Sequence, residues 1–253
     1  VDLISLMHGE LVFTSARLAD FEVYLSKDSD SVPLNIPYVI DAFKSKDDKP
    51  KSQMNVVLNS VTISNGTVHY DVKDKPEKED LFDPNHIHVS DFNAKLALKS
   101  ILSDSLNIQV KKISLKEKSG LVVRDLMFML ISQQKRYSLR DFSLEMPSSL
   151  LELSRCELDL TPASDTAKLI DYAQADVAIG MSHIAPKDVA AFSPLFRNSE
   201  NTISLQAHFR GNINDFSVSD LILSQGDDFR LTANAEVKDL RNKEEMYLIG
   251  SID

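Results

Sequence analysis

The chain has 253 residues and a net charge of -10, and no basic run longer than a few residues. That pattern argues against nucleic acid and against docking on anionic membrane surfaces, which both need clustered Lys and Arg. Hydrophobic residues are 43% of the chain, which excludes global disorder, and the single cysteine, Cys156, excludes an intrachain disulfide. No stretch approaches the apolar length of a membrane helix and no signal peptide opens the sequence. Val1 and Leu3 fall directly into strand-like sequence, so the chain reads as an excerpt of something longer.

In chain order, Asn35 is placed to cap a short helix over residues 36–43, with Pro37 in its first turn. Ile36, Val39, Ile40 and Phe43 then share one helical face. The charged loop 44–52 divides an N-terminal β segment with its helix (residues 1–50) from a long meander (residues 51–253). Asn65-Gly66, between Val61/Ile63 and Val68/Tyr70, has the sequence of a two-residue hairpin with both central φ angles positive. Residues 73–85 form a second hydrophilic loop, expected to be mobile. Ser119-Gly120 separates Ile113/Leu115 from Leu121/Val123. Alternating runs follow at Ala173, Ala175, Val177, Ile179 and Met181, at Ile203, Leu205, Ala207 and Phe209, and at Phe229, Leu231, Ala233, Ala235 and Val237. A second short helix is expected from Pro186, in the stretch 186–193, with Val189, Phe192 and Phe196 on its inner side. Gln225-Gly226-Asp227-Asp228 and Arg241-Asn242-Lys243 are further breaks. Roughly a dozen strands between Val56 and Ile252 make an antiparallel meander.

One phrase recurs six times: apolar, any residue, Asp, then Phe or Leu. Its Asp residues are Asp20, Asp91, Asp125, Asp141, Asp220 and Asp239. Around each copy the two-residue alternation slips by one: Val89 is odd-numbered, whereas Phe92, Ala94, Leu96 and Leu98 are even. An uncorrected slip would turn the apolar set to the other face. A β-bulge or a tight turn at each Asp restores the phase and bends the sheet. The expected fold is therefore mainly β: an elongated, curved antiparallel sheet forming a U-shaped groove, with two short helices.

One face of that sheet is apolar, and two short helices cover little of it. The sheet must close as a barrel, fold as a filled sandwich, or curl into a trough that something apolar fills. The candidate lining residues are Phe92, Leu96, Leu98, Leu106, Ile108, Phe128, Leu130, Phe142, Leu144, Leu158, Val177, Ile179, Leu205, Phe209, Leu223 and Leu231. In an ordinary domain the same stripe is a packed core.

Catalytic readings are weak. The six Asp residues occupy one repeated structural station, whereas acid/base chemistry needs two carboxyls converging in unlike environments. His86 and His88 lie on one side of a strand, with His69 on a neighbour. Zinc needs three or four ligands and an oriented outer shell, so ordinary edge histidines are the simpler reading. Cys156 continues the alternation to Leu158 and Leu160 and reads as an inert thiol. No nucleophile elbow, phosphate loop or dinucleotide fingerprint is present. No enzyme activity, metal or cofactor is expected.

The segment Ile184-Ala185-Pro186-Lys187-Asp188-Val189-Ala190-Ala191-Phe192-Ser193-Pro194-Leu195 resembles a helix that interrupts strands in AsmA-like envelope proteins, the group containing TamB. The run from Val61 to Tyr70 resembles that group's Asn-Gly hairpin, and Pro84-Asn85-His86-Ile87-His88-Val89-Ser90-Asp91-Phe92 the strand after it. Residues 33–43 and Glu117-Lys118-Ser119-Gly120-Leu121 look most like the Bacteroidota versions. The group's N-terminal membrane helix and C-terminal signature are missing, so the resemblance implies an internal section. It implies a periplasmic conduit for phospholipid acyl chains between inner and outer membranes, or support of outer-membrane assembly with an assembly protein as partner. It also implies a tether to the inner membrane outside this chain. The runner-up is a periplasmic or surface β-sandwich binding or adhesin module with a filled core. A carbohydrate-active enzyme is a distant third, since sugar sites favour Trp and the chain has none. Exposed sheet edges could join two copies in a dimer.

Overall fold

The computed structural model describes residues 10–29, 55–78, 80–101, 105–161, 172–226, 229–242 and 244–253. They form one open, curved sheet of fourteen strands. The strands are β1 (Glu10–Phe13), β2 (Ala16–Ala19), β3 (Glu22–Lys27), β4 (Asn55–Val72), β5 (His86–Ile101), β6 (Ser105–Glu117) and β7 (Val122–Gln133). They continue as β8 (Arg136–Glu145), β9 (Leu150–Asp159), β10 (Gln174–Ile184), β11 (Ile203–Gly211), β12 (Phe216–Gln225), β13 (Phe229–Lys238) and β14 (Tyr247–Ile252). From β4 to β14 each strand pairs antiparallel with the next. β1, β2 and β3 lie end to end along β4, all parallel to it. The described part of the N-terminal segment thus shares one sheet with the meander. The helix expected over residues 36–43 and the loop 44–52 lie outside the described residues.

The recurring Asp phrase marks where the sheet bends. Asp91, Asp125, Asp141 and Asp220 each sit where one strand carries an extra residue against its partner. Asp20 marks the break between β2 and β3, and Asp239 follows the end of β13. All except Asp125 have a left-handed backbone, with φ between 51° and 54°. A short side chain that can hydrogen-bond locally makes Asp one of the few non-glycine residues that tolerates this region. Neighbouring strands secure the distortions. Asn234 Oδ1 accepts from the Asp220 N–H at 3.0 Å, and Asn93 Oδ1 accepts from the Asn65 N–H at 3.0 Å. Asn65 Nδ2 donates to Asp20 at 2.7 Å, so three adjacent strands share one transverse rib.

Three expectations are corrected. Asn65-Gly66 is no hairpin: β4 runs straight through it from Asn55 to Val72. Asn65 has φ 52° and supplies a bulge, whereas Gly66 lacks the positive φ that such a hairpin needs. Gly66 instead leaves room for the Phe21 ring, 2.4 Å from where a Cβ would stand. The two-residue hairpin with both central φ positive occurs at Gln134-Lys135. Second, the stretch after Pro186 forms two 3₁₀ turns, Pro186–Val189 and Pro194–Phe196, with no α-helix. Pro194 disfavours helical backbone at Ser193, which is extended at φ -157°. Phe192 and Phe196 are consequently exposed. Third, the loop 73–85 is anchored. Asp83 is 0% exposed and accepts from the N–H groups of Lys78 and Asn85, both at 2.9 Å.

Candidate functional site

Cross-strand partners share a sheet face, so register fixes which side chains line each surface. The pairing and the bulges place every candidate lining residue on the same face. One lateral row runs Leu58, Leu98, Ile108, Leu130 and Leu139 across β4 to β8. Its counterpart in β9 to β13 is Cys156, Val177, Phe209, Val218 and Ala235. A parallel row is Ile63, Ala94, Ile113, Leu126, Leu144 and Leu151. Leu58, Ile63, Ile113, Leu126, Leu139, Leu151 and Val218 were not among the lining candidates read from sequence. Their signal was the same alternation, once each bulge is counted as one extra residue.

The floor is neither packed nor bare. Each candidate lining residue is half-buried, and among the described residues no Leu, Ile or Phe is buried. The buried apolar residues are Val72, Ala94, Ala97, Val110, Met146, Ala185, Ala191 and Val237. A filled sandwich would hide its large side chains against a second layer, and the described strands all belong to one sheet.

The two ends of the trough differ. At one end, floor positions are covered: Val72 is 0% exposed, Glu117 5%, Met146 5% and Ser182 1%. The cover is the β4–β5 loop joined to the β10–β11 insertion. Phe82 N–H donates to Ala191 O at 2.7 Å, the Phe82 and Phe192 rings lie 5.4 Å apart, and Arg197 donates to Asp80 O. Asp188 accepts from Ser148 N–H at 2.6 Å and from the Ser149 hydroxyl at 2.8 Å, tying the insertion to the β8–β9 turn. At the other end, Leu158, Leu160, Ala173, Ala175, Phe209 and Ile213 line an apolar hollow of about 460 Å³. Sequence reading missed the cover because its two halves, joined at Phe82–Ala191 and Asp80–Arg197, lie over 100 residues apart.

The opposite face is polar and carries local ion pairs. Asp176 takes His208 Nε2 at 2.6 Å, Arg210 at 3.2 Å and Arg155 at 3.4 Å, and its hydrogen bond to His208 holds its carboxyl below the usual range. Lys116 pairs with Asp91 at 2.9 Å. The His69 and His88 rings lie 4.2 Å apart and tilted by 34°, and Tyr24 stacks on His69 at 4.4 Å. Both ring nitrogens of His86 are engaged by other groups. Its Nδ1 meets Asp71 at 3.1 Å and its Nε2 meets Lys75 O at 3.0 Å. The Asp71 contact raises its pKa against the opposing effect of burial. Among the described residues no group of three or more His, Cys, Asp or Glu is placed to hold a metal ion. Burial raises the Cys156 pKa, keeping the thiol protonated.

The class defined by fold and site is an open, curved β trough with an apolar floor, covered at one end. Comparison with protein-family models, curated proteins and solved structures found no match to this chain.

Proposed function

We propose that this chain is a non-enzymatic lipid-conduit section, carrying phospholipid acyl chains along its apolar floor. The half-buried floor carries the reading: Leu, Ile, Phe and Val side chains form continuous lateral rows that no second layer of described residues seals. Leaving such surface in water is costly, and an acyl chain supplies the missing apolar partner without needing directional bonds. Transport is passive, with acyl chains sliding on the floor while headgroups stay near water at the open seam. The resemblance to AsmA-like and TamB-type envelope proteins supports a periplasmic setting between two membranes and a tether outside this chain.

Organic extraction of the purified protein followed by lipid mass spectrometry tests this. Phospholipid should be recovered in stoichiometric amounts and should return when stripped protein meets phospholipid vesicles. Protein that stays monomeric and folded while carrying no lipid before or after exposure overturns the reading.

A further inference from the structure

At the covered end, three cations converge from three separate segments. Lys78 comes from the β4–β5 loop, Lys118 from the β6–β7 turn and Arg197 from the β10–β11 insertion. With Glu77, Asp80, Leu81 and Ser119 they line a cavity of about 560 Å³. The cavity begins one residue beyond Glu117, which pairs with Val89 on the floor face at the end of β6. It therefore lies at the same end of the sheet as the covered floor positions.

Several cations of the sheet are matched by carboxylates: Lys112 with Asp125, Lys116 with Asp91, Arg136 with Asp159, and Arg155 and Arg210 with Asp176. Here the match is incomplete. Lys118 pairs with Glu77, but Arg197 is held by a backbone carbonyl, that of Asp80. Among the described residues neither Arg197 nor Lys78 has a carboxylate partner in an ion pair. A guanidinium bound to one carbonyl keeps donors for a second acceptor, and the fork geometry of Arg suits phosphate. Among the lining residues, three cations face two carboxylates, Glu77 and Asp80.

We propose that this cavity binds a phosphate group, with Arg197 and Lys78 as its principal donors and Lys118 exchanging Glu77 for the anion. Resting on the conduit reading, the ligand is the phosphate-bearing headgroup of a lipid whose acyl chains lie on the open floor beyond the covered positions. The covered end then selects lipids by headgroup, and the floor accepts any acyl chain.

The test offers lipid-stripped protein vesicles containing equal amounts of phosphatidic acid and diacylglycerol, and mass spectrometry reads what is bound. Wild type should favour phosphatidic acid by about tenfold. Lys78→Ala/Arg197→Ala should lose that preference while total bound acyl chain stays constant. Lys78→Ala alone, which leaves the Arg197 anchor on Asp80 intact, should lose part of it. An unchanged preference in both variants overturns the site. Inorganic phosphate titrated against the Arg197 Nε–H resonance forms the second arm. If no lipid of either kind binds but phosphate shifts that resonance, the site stands for a free anion and the conduit reading falls. If neither lipid nor phosphate binds, both are overturned.

Discussion

Leu130 lies in the middle of a floor row, between Ile108 and Leu139, and is half-buried. Leu130→Glu places a carboxylate directly in the proposed acyl path. Burying a Leu fully is worth about 1.5–3 kcal/mol, so losing a half-buried one costs about 1–1.5 kcal/mol. The poorer strand propensity of Glu adds up to about 1 kcal/mol. The charge itself adds less than in a sealed core, because the site stays open to water on one side. The expected loss is therefore about 1–2.5 kcal/mol, a fall in Tm of about 2–10 °C for a chain of this size. In a sealed core the same carboxylate would cost several kcal/mol more in desolvation alone. Urea unfolding gives the stability, and extraction with mass spectrometry gives the lipid content. Stability should fall modestly while lipid content collapses. Lys95→Gln, on the polar face, should leave both unchanged. A loss above about 5 kcal/mol, or failure to fold, would show that Leu130 sits in a closed core. Full lipid loading on a stable Leu130→Glu protein would show that the floor does not carry the chains.

Asp220 tests the bulges: Asp220→Ala should cost about 1–2 kcal/mol in urea unfolding because of its left-handed backbone, whereas Asp220→Gly should be nearly neutral. Equal losses in the two would point to the carboxylate rather than the backbone. Gly66→Ala drives a Cβ into the Phe21 ring and should cost about 1–3 kcal/mol. Adding Phe21→Ala should relieve most of that cost, and strict additivity in the double-mutant cycle would refute the clash. His86 has a raised pKa, from its hydrogen bond to Asp71 first. Its contribution to stability is full below the unfolded value of about 6.5 and is lost as pH rises through the higher folded value. His86→Gln should therefore cost more at pH 5.5 than at pH 9, and a pH-independent difference would exclude protonated His86 from the covered end.

The sequence by itself determined the strands, the bends and the one-sided apolar floor. These follow from two-residue alternation and from its slip at the Asp phrase, both properties of adjacent residues. Asp91, Asp141 and Asp220 were legible as phase corrections because an extra residue shifts every apolar position after it. Asn65-Gly66 was misread because a left-handed Asn serves a bulge and a hairpin equally well, and only pairing of β4 along its whole length decides between them. The parallel placement of β1 to β3 and the joining of Phe82 to Ala191 were invisible for another reason. Both depend on distant segments meeting, and no local pattern encodes which pair meets. The buried Asp83 looked like loop surface, since nothing in the sequence announces the two backbone N–H groups that hold its carboxylate. Tertiary structure alone brought Lys78, Lys118 and Arg197 to one cavity, in an acidic chain that has no basic run longer than a few residues.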